Sequence, residues 1–276
     1  MLSAHEELPR QHILVAVEEA GMQGASGALE VIGNPSGIIY LEGGHIAFAQ
    51  ASGVPGLADR LGGIRPVPAE LRELLSVRGA EDHVAIAAHI VHRGYLAAAV
   101  LADLIQSIVV DAFLVLTMPF AADSPVPAIR FAASRTPFWP DMFPRLGVGP
   151  VREEAIRQAR RMADYGLAPT TTVTLRSVTP PAAVLTREQW AVACQITGPM
   201  PASQLAARCG MSLVDTVDCL GGLIWAGLCT PVRVAERPPL PPRVPGQPPQ
   251  PRPHGDSGQP SLGLLRQVLH GLRKLG

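Results

Sequence analysis

Apolar and polar positions alternate along the chain with two periods, and the change between them marks the elements. Arg10–Ala20 carries Ile13, Leu14, Val17 and Ala20 at helical spacing, which predicts a short amphipathic helix broken by Gly21–Gly27. The next stretch switches to a period of two. Ala28–Ile32, Gly37–Glu42 and His45–Gln50 read as strands, with Asn34-Pro35-Ser36-Gly37 and Gly43-Gly44 as the turns between them. Alternation places Ile39 and Leu41 on one face, and Ile46 and Phe48 together on one face. The result is a small antiparallel meander. Helical patterns return at Val54–Leu61, Pro68–Leu75, Glu81–His92 and Leu96–Leu116. In the last, Leu101, Leu104, Ile105, Ile108, Ala112 and Phe113 recur at helical spacing, while Asp103, Gln106 and Asp111 take other faces. Ala128–Ala132 reads as a closing strand, and 134–149 as a loop rich in Pro and aromatic residues.

The second half repeats the helical period in shorter pieces. Val151–Tyr165 predicts a bridging helix with Arg152, Arg157, Arg160 and Arg161 on its polar side, and Thr170–Pro181 is β-prone. Thr186 with Gln189 forms a capping box that opens a helix to Ile196. Pro201–Cys209 is a second helix ended by Gly210. Ser212 caps a third that runs to about Ala226, and Cys229–Ala235 reads as a strand. Helix, helix, Gly turn, helix and strand follow in the order of a winged helix-turn-helix. Ten of the 25 residues in Glu236–Pro260 are Pro, so an extended tether is expected there. Ser261–Lys274 regains helical order, with Leu262, Leu265, Leu269 and Leu272 as an apolar stripe beside Arg266, Arg273 and Lys274.

Composition narrows the function classes. The 276 residues are 47% hydrophobic and 17% charged, enough apolar material for packed cores. Formal net charge is zero, which leaves no bulk basic excess for nucleic acid. That zero is unevenly distributed. Residues 1–148 hold nine Arg against fifteen Asp and Glu, residues 149–235 eight Arg against six acids, and residues 236–276 six Arg and Lys against two acids. The N-terminus, Met1–Arg10, lacks the apolar run of a signal peptide. The most hydrophobic stretch, Tyr95–Met118, carries Asp103 and Asp111, each worth about 3 kcal/mol against insertion into a bilayer. A buried helix in a cytoplasmic protein is expected, with no stable membrane insertion.

Candidate chemistry is sparse. Cys194, Cys209, Cys219 and Cys229 are spaced by 15, 10 and 10 residues, without the close pairs that zinc sites use. Asp82, His83, His89 and His92 could set ligands along one helix, but ordinary helix histidines explain them as well. Gly33–Gly44 lacks the Gly-Lys-Ser/Thr of a phosphate loop, and Gly24-Ala25-Ser26-Gly27 is not a nucleophile elbow. Glu18–Glu19, Glu81–Asp82 and Glu153–Glu154 are sequence neighbours that point apart on a helix. No catalytic residue, cofactor or metal site is expected, and the chain reads as a non-enzyme.

Two resemblances attach to named residues. Gly27-Ala-Leu-Glu-Val, then Ser36-Gly37-Ile-Ile-Tyr-Leu-Glu-Gly-Gly-His-Ile-Ala-Phe-Ala, the Gly53–Leu61 segment and the helices His83–His92 and Leu96–Leu116 resemble the PatA-like N-terminal domain, a bacterial domain of unknown biochemical activity. This resemblance covers about half the chain and implies a signalling or regulatory module with no catalytic residues to transfer. The stretch Pro201-Ala-Ser-Gln-Leu-Ala-Ala-Arg-Cys-Gly-Met-Ser-Leu-Val-Asp-Thr-Val-Asp-Cys-Leu-Gly-Gly-Leu, with Ala226-Gly227-Leu228, resembles the winged-helix proteins of actinobacterial conservon operons. That likeness implies a neighbourhood of small GTPases and roadblock-type proteins.

Whether the winged helix meets DNA or protein is decided by side chains. Its reading helix, Ser212–Leu220, would expose Ser212, Asp215, Thr216 and Asp218, with two carboxylates and no base. DNA affinity rests on Lys and Arg at phosphates, and base reading on Arg, Lys, Asn or Gln. Only Arg208 and Arg233 lie close in sequence. The candidate contact set for DNA or a partner is therefore Arg208, Ser212, Thr216 and Arg233. The Leu262, Leu265, Leu269 and Leu272 helix is a candidate partner helix; a disordered tail and a membrane-surface contact are its alternatives.

The expectation is an α+β chain with four parts. A PatA-like domain spans 24–148, a winged helix 150–235, a Pro-rich linker 236–260 and a terminal amphipathic helix 261–275. The expected function is a regulatory adaptor acting through protein contacts. The alternative is a DNA-binding transcriptional regulator whose N-terminal domain supplies signal input or dimerisation; a homodimer would strengthen a weak reader by pairing half-sites.

Overall fold

A computed structural model describes residues 11–63, 83–118, 127–133, 145–176 and 183–232. These belong to one compact unit; a second, Val234–Gly276, lies outside the described residues. So do the expected Pro68–Leu75 helix, the loop 134–144, Arg233, the Pro-rich linker and the terminal helix with Leu262, Leu265, Leu269 and Leu272.

The meander forms as its alternation predicts. Strands β1 (Gly27–Ile32), β2 (Gly37–Glu42) and β3 (His45–Ala51) pair antiparallel, and β4 (Ala128–Ala132) adds to the far side of β1, giving the order β3-β2-β1-β4. Gly43 and Gly44 make the two-residue turn between Glu42 and His45, with φ of 56° and 79° that glycine alone adopts without strain. One detail differs from the alternation. The β2–β3 register shifts between Tyr40 and Leu41, so Ile46 pairs with Leu41 and Phe48 with Tyr40. Cross-strand partners share a face. Ile46 and Phe48 therefore part company, because a bulge inserts one residue between them. Both are still buried.

Helix α1 (Gln11–Met22) precedes the sheet, followed after it by α2 (Leu57–Gly63), α3 (His83–His92), α4 (Ala98–Thr117) and α5 (Val148–Asp164). Helix α4 packs on β3 and β2, and α1 and α5 pack on α4. Its first half buries one stripe, Leu101, Ile105 and Ile108; from Ile108 to Thr117 every residue is buried. A helix covered on all sides needs no polar face, and this is why Tyr95–Met118 looked like a membrane segment by composition. By length and hydropathy α4 could cross a bilayer, but it is the central core helix of this unit. Asp111 is the exception to its apolar character. It was assigned a polar face, and no such face exists there: Asp111 is 1% exposed.

The remaining elements are β5 (Thr172–Leu175), α6 (Arg187–Gln195), β6 (Met200–Pro201), α7 (Ala202–Cys209), α8 (Leu213–Trp225) and β7 (Cys229–Pro231). The local signals act as expected. Thr186 Oγ1 accepts from the Gln189 N–H while the Gln189 side chain accepts from the Thr186 N–H. Gly210 takes the left-handed conformation at the end of α7, and Ser212 caps α8. The three helices pack on one another, and β6-β5-β7 form a second antiparallel sheet whose middle strand precedes the helices in sequence. One continuous core runs from Ile13 of α1 through Phe113 and Met162 to Leu223 of α8, crossing the expected boundary near residue 149 inside α5. The fold is mixed helix and antiparallel sheet, compatible with α+β.

Candidate functional site at the junction of α2, α4 and α8

Among the described residues, four of the five buried polar side chains, Arg60, Asp111, Ser212 and Thr216, come from where α2, α4 and the start of α8 meet; the fifth, Thr117, lies at the far end of α4. Arg60 comes from α2, Ser107 and Asp111 from α4, and Ser212, Leu213 and Asp215 from α8. The first N–H groups of any helix have no partner within it. Here two are supplied from different sources. Ser212 Oγ accepts from the Asp215 N–H at 3.0 Å, and its hydroxyl hydrogen-bonds to Asp215 Oδ2. Asp111 Oδ2 accepts from the Leu213 N–H at 2.9 Å, across 102 residues of sequence. A carboxylate at a helix N-terminus also meets the positive end of the helix dipole. Asp111 is thus a distant cap for α8.

Arg60 lies beside it, buried, with Nη2 donating to Ser107 Oγ at 2.9 Å. Arg60 Nε, Arg60 Nη1 and Asp111 Oδ1 have no hydrogen-bond partner. Burial raises the Asp111 carboxyl to about 7; the Leu213 N–H and the Arg60 charge oppose this, and Asp215 adds to it. Burial likewise lowers the Arg60 guanidinium below its usual value, against the pull of Asp111 and Asp215. The backbones also meet here. A Cβ on Gly63, the last residue of α2, would lie 2.6 Å from Gly210 Cα, so α2 and the α7–α8 turn touch main chain to main chain.

The sequence-based candidates do not gather into one contact patch. Arg208 is exposed and donates to Thr197 Oγ1 at 3.5 Å. Ser212 and Thr216, expected at the surface, are buried; Thr216 is 0% exposed and its hydroxyl donates to the Ser212 carbonyl at 2.8 Å. The correction has a packing cause. Helix α8 is held by α6 and α7, by α5 and by β7, so eight of its thirteen residues are buried and no free face of normal width is left. The carboxylates remain, Asp215 exposed and Asp218 half-buried and paired with Arg161 of α5 at 2.5 Å. The basic side of α5 is also partly neutralised, with Arg152 on Glu18 and Arg157 on Glu154, both at 2.8 Å.

Large apolar side chains stand at the surface instead. Trp225, at the end of α8, is 93% exposed and Trp190 on α6 is 64% exposed. Trp190 borders a groove of about 570 Å³ lined also by Gly63, Cys194, Arg208 and Met211. Tryptophan joins a large apolar body to an N–H donor, which suits it to contact surfaces. Sequence reasoning missed both tryptophans as candidates.

The cysteines divide by environment. Cys194 is exposed, whereas Cys219 and Cys229 are buried, and burial raises both thiols to about 11. Thiolate is the reactive form. Iodoacetamide at pH 8 is therefore expected to label Cys194 in the native protein and to reach Cys219 and Cys229 only after denaturation. Peptide mass spectrometry checks this, and native labelling of Cys229 at the rate of Cys194 would contradict the packing of β7. Among the described residues no group of three or more His, Cys, Asp and Glu is placed to hold a metal ion. Comparisons with protein-family models, with curated proteins and with solved structures find no match to this chain.

Proposed function

We propose that this chain is a non-enzymatic regulatory adaptor of the cytoplasm that works through protein contacts. The observation that carries this reading is the contrast on the three-helix part: the would-be DNA-reading start of α8 is largely buried and shows a carboxylate, while Trp190 on α6 and Trp225 at the end of α8 are exposed. Tryptophan is enriched among the residues that dominate binding energy at protein interfaces. The order α6, β6, α7, α8, β7 supports a winged helix-turn-helix, with β5 in the middle of the sheet. The part built on β1 to β4 and α4 is read as the signalling module that the PatA-like resemblance implies. A small GTPase or a roadblock-type regulator is the partner class that the second resemblance implies.

The DNA-binding alternative requires α8 to present bases to a groove. Its exposed residues are Asp215 and Trp225, and a carboxylate repels phosphate. Fluorescence anisotropy with a labelled mixed-sequence duplex at low salt separates the two. Negligible binding is expected; affinity that falls steeply with added salt would overturn the adaptor reading. In parallel, the full chain and a Trp190→Ala/Trp225→Ala variant are coupled to resin and exposed to extract of the source cells. A protein retained by the wild type and lost by the variant is expected, with both melting at the same temperature because neither indole is packed. Equal retention would remove the tryptophans from the contact.

A further inference from the structure

The junction of α2, α4 and α8 contains more than a cap requires. A neutral serine suffices to hold a helix start, and Ser212 already does so. The fold nevertheless buries a carboxyl and a guanidinium beside it and leaves three of their polar atoms unpartnered. Unpartnered buried groups oppose closure, and the charged form of a buried carboxyl opposes it most. The opposition falls on one junction, where α7 packs on α2 and the start of α8 reaches Asp111 of α4. We propose that Asp111, with Arg60, is a proton-operated latch: neutral Asp111 keeps α7 and α8 seated on α2 and α4, and its ionisation loosens them.

Every charged group facing Asp111 enters the balance. Arg60 from α2 favours the ionised carboxyl, Asp215 from α8 opposes it, and the Leu213 N–H stabilises it. Burial outweighs the favourable contacts. Closed, the carboxyl therefore keeps its proton to about pH 7; hydrated in the open state it would release it near 4. The closed form binds the extra proton across that interval. Closure is thus strongest below the open-state value, weakens by up to tenfold per pH unit through the interval, and levels off above the closed-state value. The proton leaves to solvent as the junction opens and returns as it closes.

Native-state hydrogen exchange on the full chain tests the latch. After correction for intrinsic rates, protection of α8 amides should fall about 30-fold between pH 5.5 and 8.0. It should also fall below the protection of β1 and β2, which report opening of the whole unit. Asp111→Asn keeps an acceptor for the Leu213 N–H and cannot ionise, so its α8 protection should not change with pH. A flat wild-type profile, the same pH dependence in the Asn variant, or α8 exchanging only together with β1 and β2 would each overturn the proposal. Should the variant not fold, carbon-13 titration of the Asp111 carboxyl in the wild type decides: a midpoint near 7 supports the latch and one near 4 overturns it.

Discussion

Gly210→Ala is expected to lower the stability of the protein by about 3 kcal/mol, and its melting temperature by about 10 °C. Two effects add. Gly210 has φ of 63°, a left-handed conformation that costs an alanine about 1 kcal/mol. Its Cβ would also collide with the Gly63 main chain and approach the Asp59 carbonyl to 2.9 Å, and backbone has no rotamer with which to yield. The second effect has its own check. A Cβ on Gly63 would meet Gly210 Cα at 2.6 Å and the Cys209 carbonyl at 2.7 Å, although Gly63 has no unusual φ. Gly62, next to it on α2, has open space around its Cβ. Gly62→Ala should therefore be neutral or slightly stabilising, since alanine is the better helix former, while Gly63→Ala should lose about 2 kcal/mol. Thermal melts of the three variants decide the matter. Equal melting of Gly62→Ala and Gly63→Ala would mean that α2 does not touch the α7–α8 turn.

These glycines show what a sequence displays and what it hides. Gly210 was legible because a helix that ends in glycine is a local signal, as were the Thr186 capping box, the Ser212 cap and the Gly43-Gly44 turn. The meander of β1 to β3 followed from alternation and its turns, and β4 was visible as a closing strand, although its place beside β1 was not. Gly63 carried no such mark, because its role depends on a chain segment about 150 residues away. Asp111 was hidden for the same reason. Its partner is 102 residues distant, and in sequence it looks like the polar relief of an amphipathic helix. The Ser212 and Thr216 exposure was misjudged because helical periodicity gives relative directions but not how many sides a helix has covered. Periodicity reports a face only when another face meets water, and neither the second half of α4 nor α8 offers water a full one.

The same argument fixes the size of the effect at the centre of α4. Phe113→Ala should reduce the unfolding free energy by about 3–5 kcal/mol, the usual loss for a fully buried phenylalanine. Phe113 is 0% exposed and belongs to the cluster that includes Phe48 of β3 and Ala155 of α5. The ring sits in the half of α4 that is covered on every side, so no solvent-facing neighbour can move in without uncovering core elsewhere. The cavity would largely persist, and the cavity component adds to the lost transfer free energy. Val100, in the first turn and 51% exposed, is the matched control on the same helix; Val100→Ala should change stability by no more than about 0.5 kcal/mol. Urea denaturation followed by circular dichroism measures both. Because the core is continuous from α1 to α8, the Phe113→Ala transition should remain single, with β1–β4 and α6–α8 lost together. A biphasic transition, in which α6–α8 survive the loss of the first sheet, would show instead that the two parts hold separate cores and that α5 is only their link.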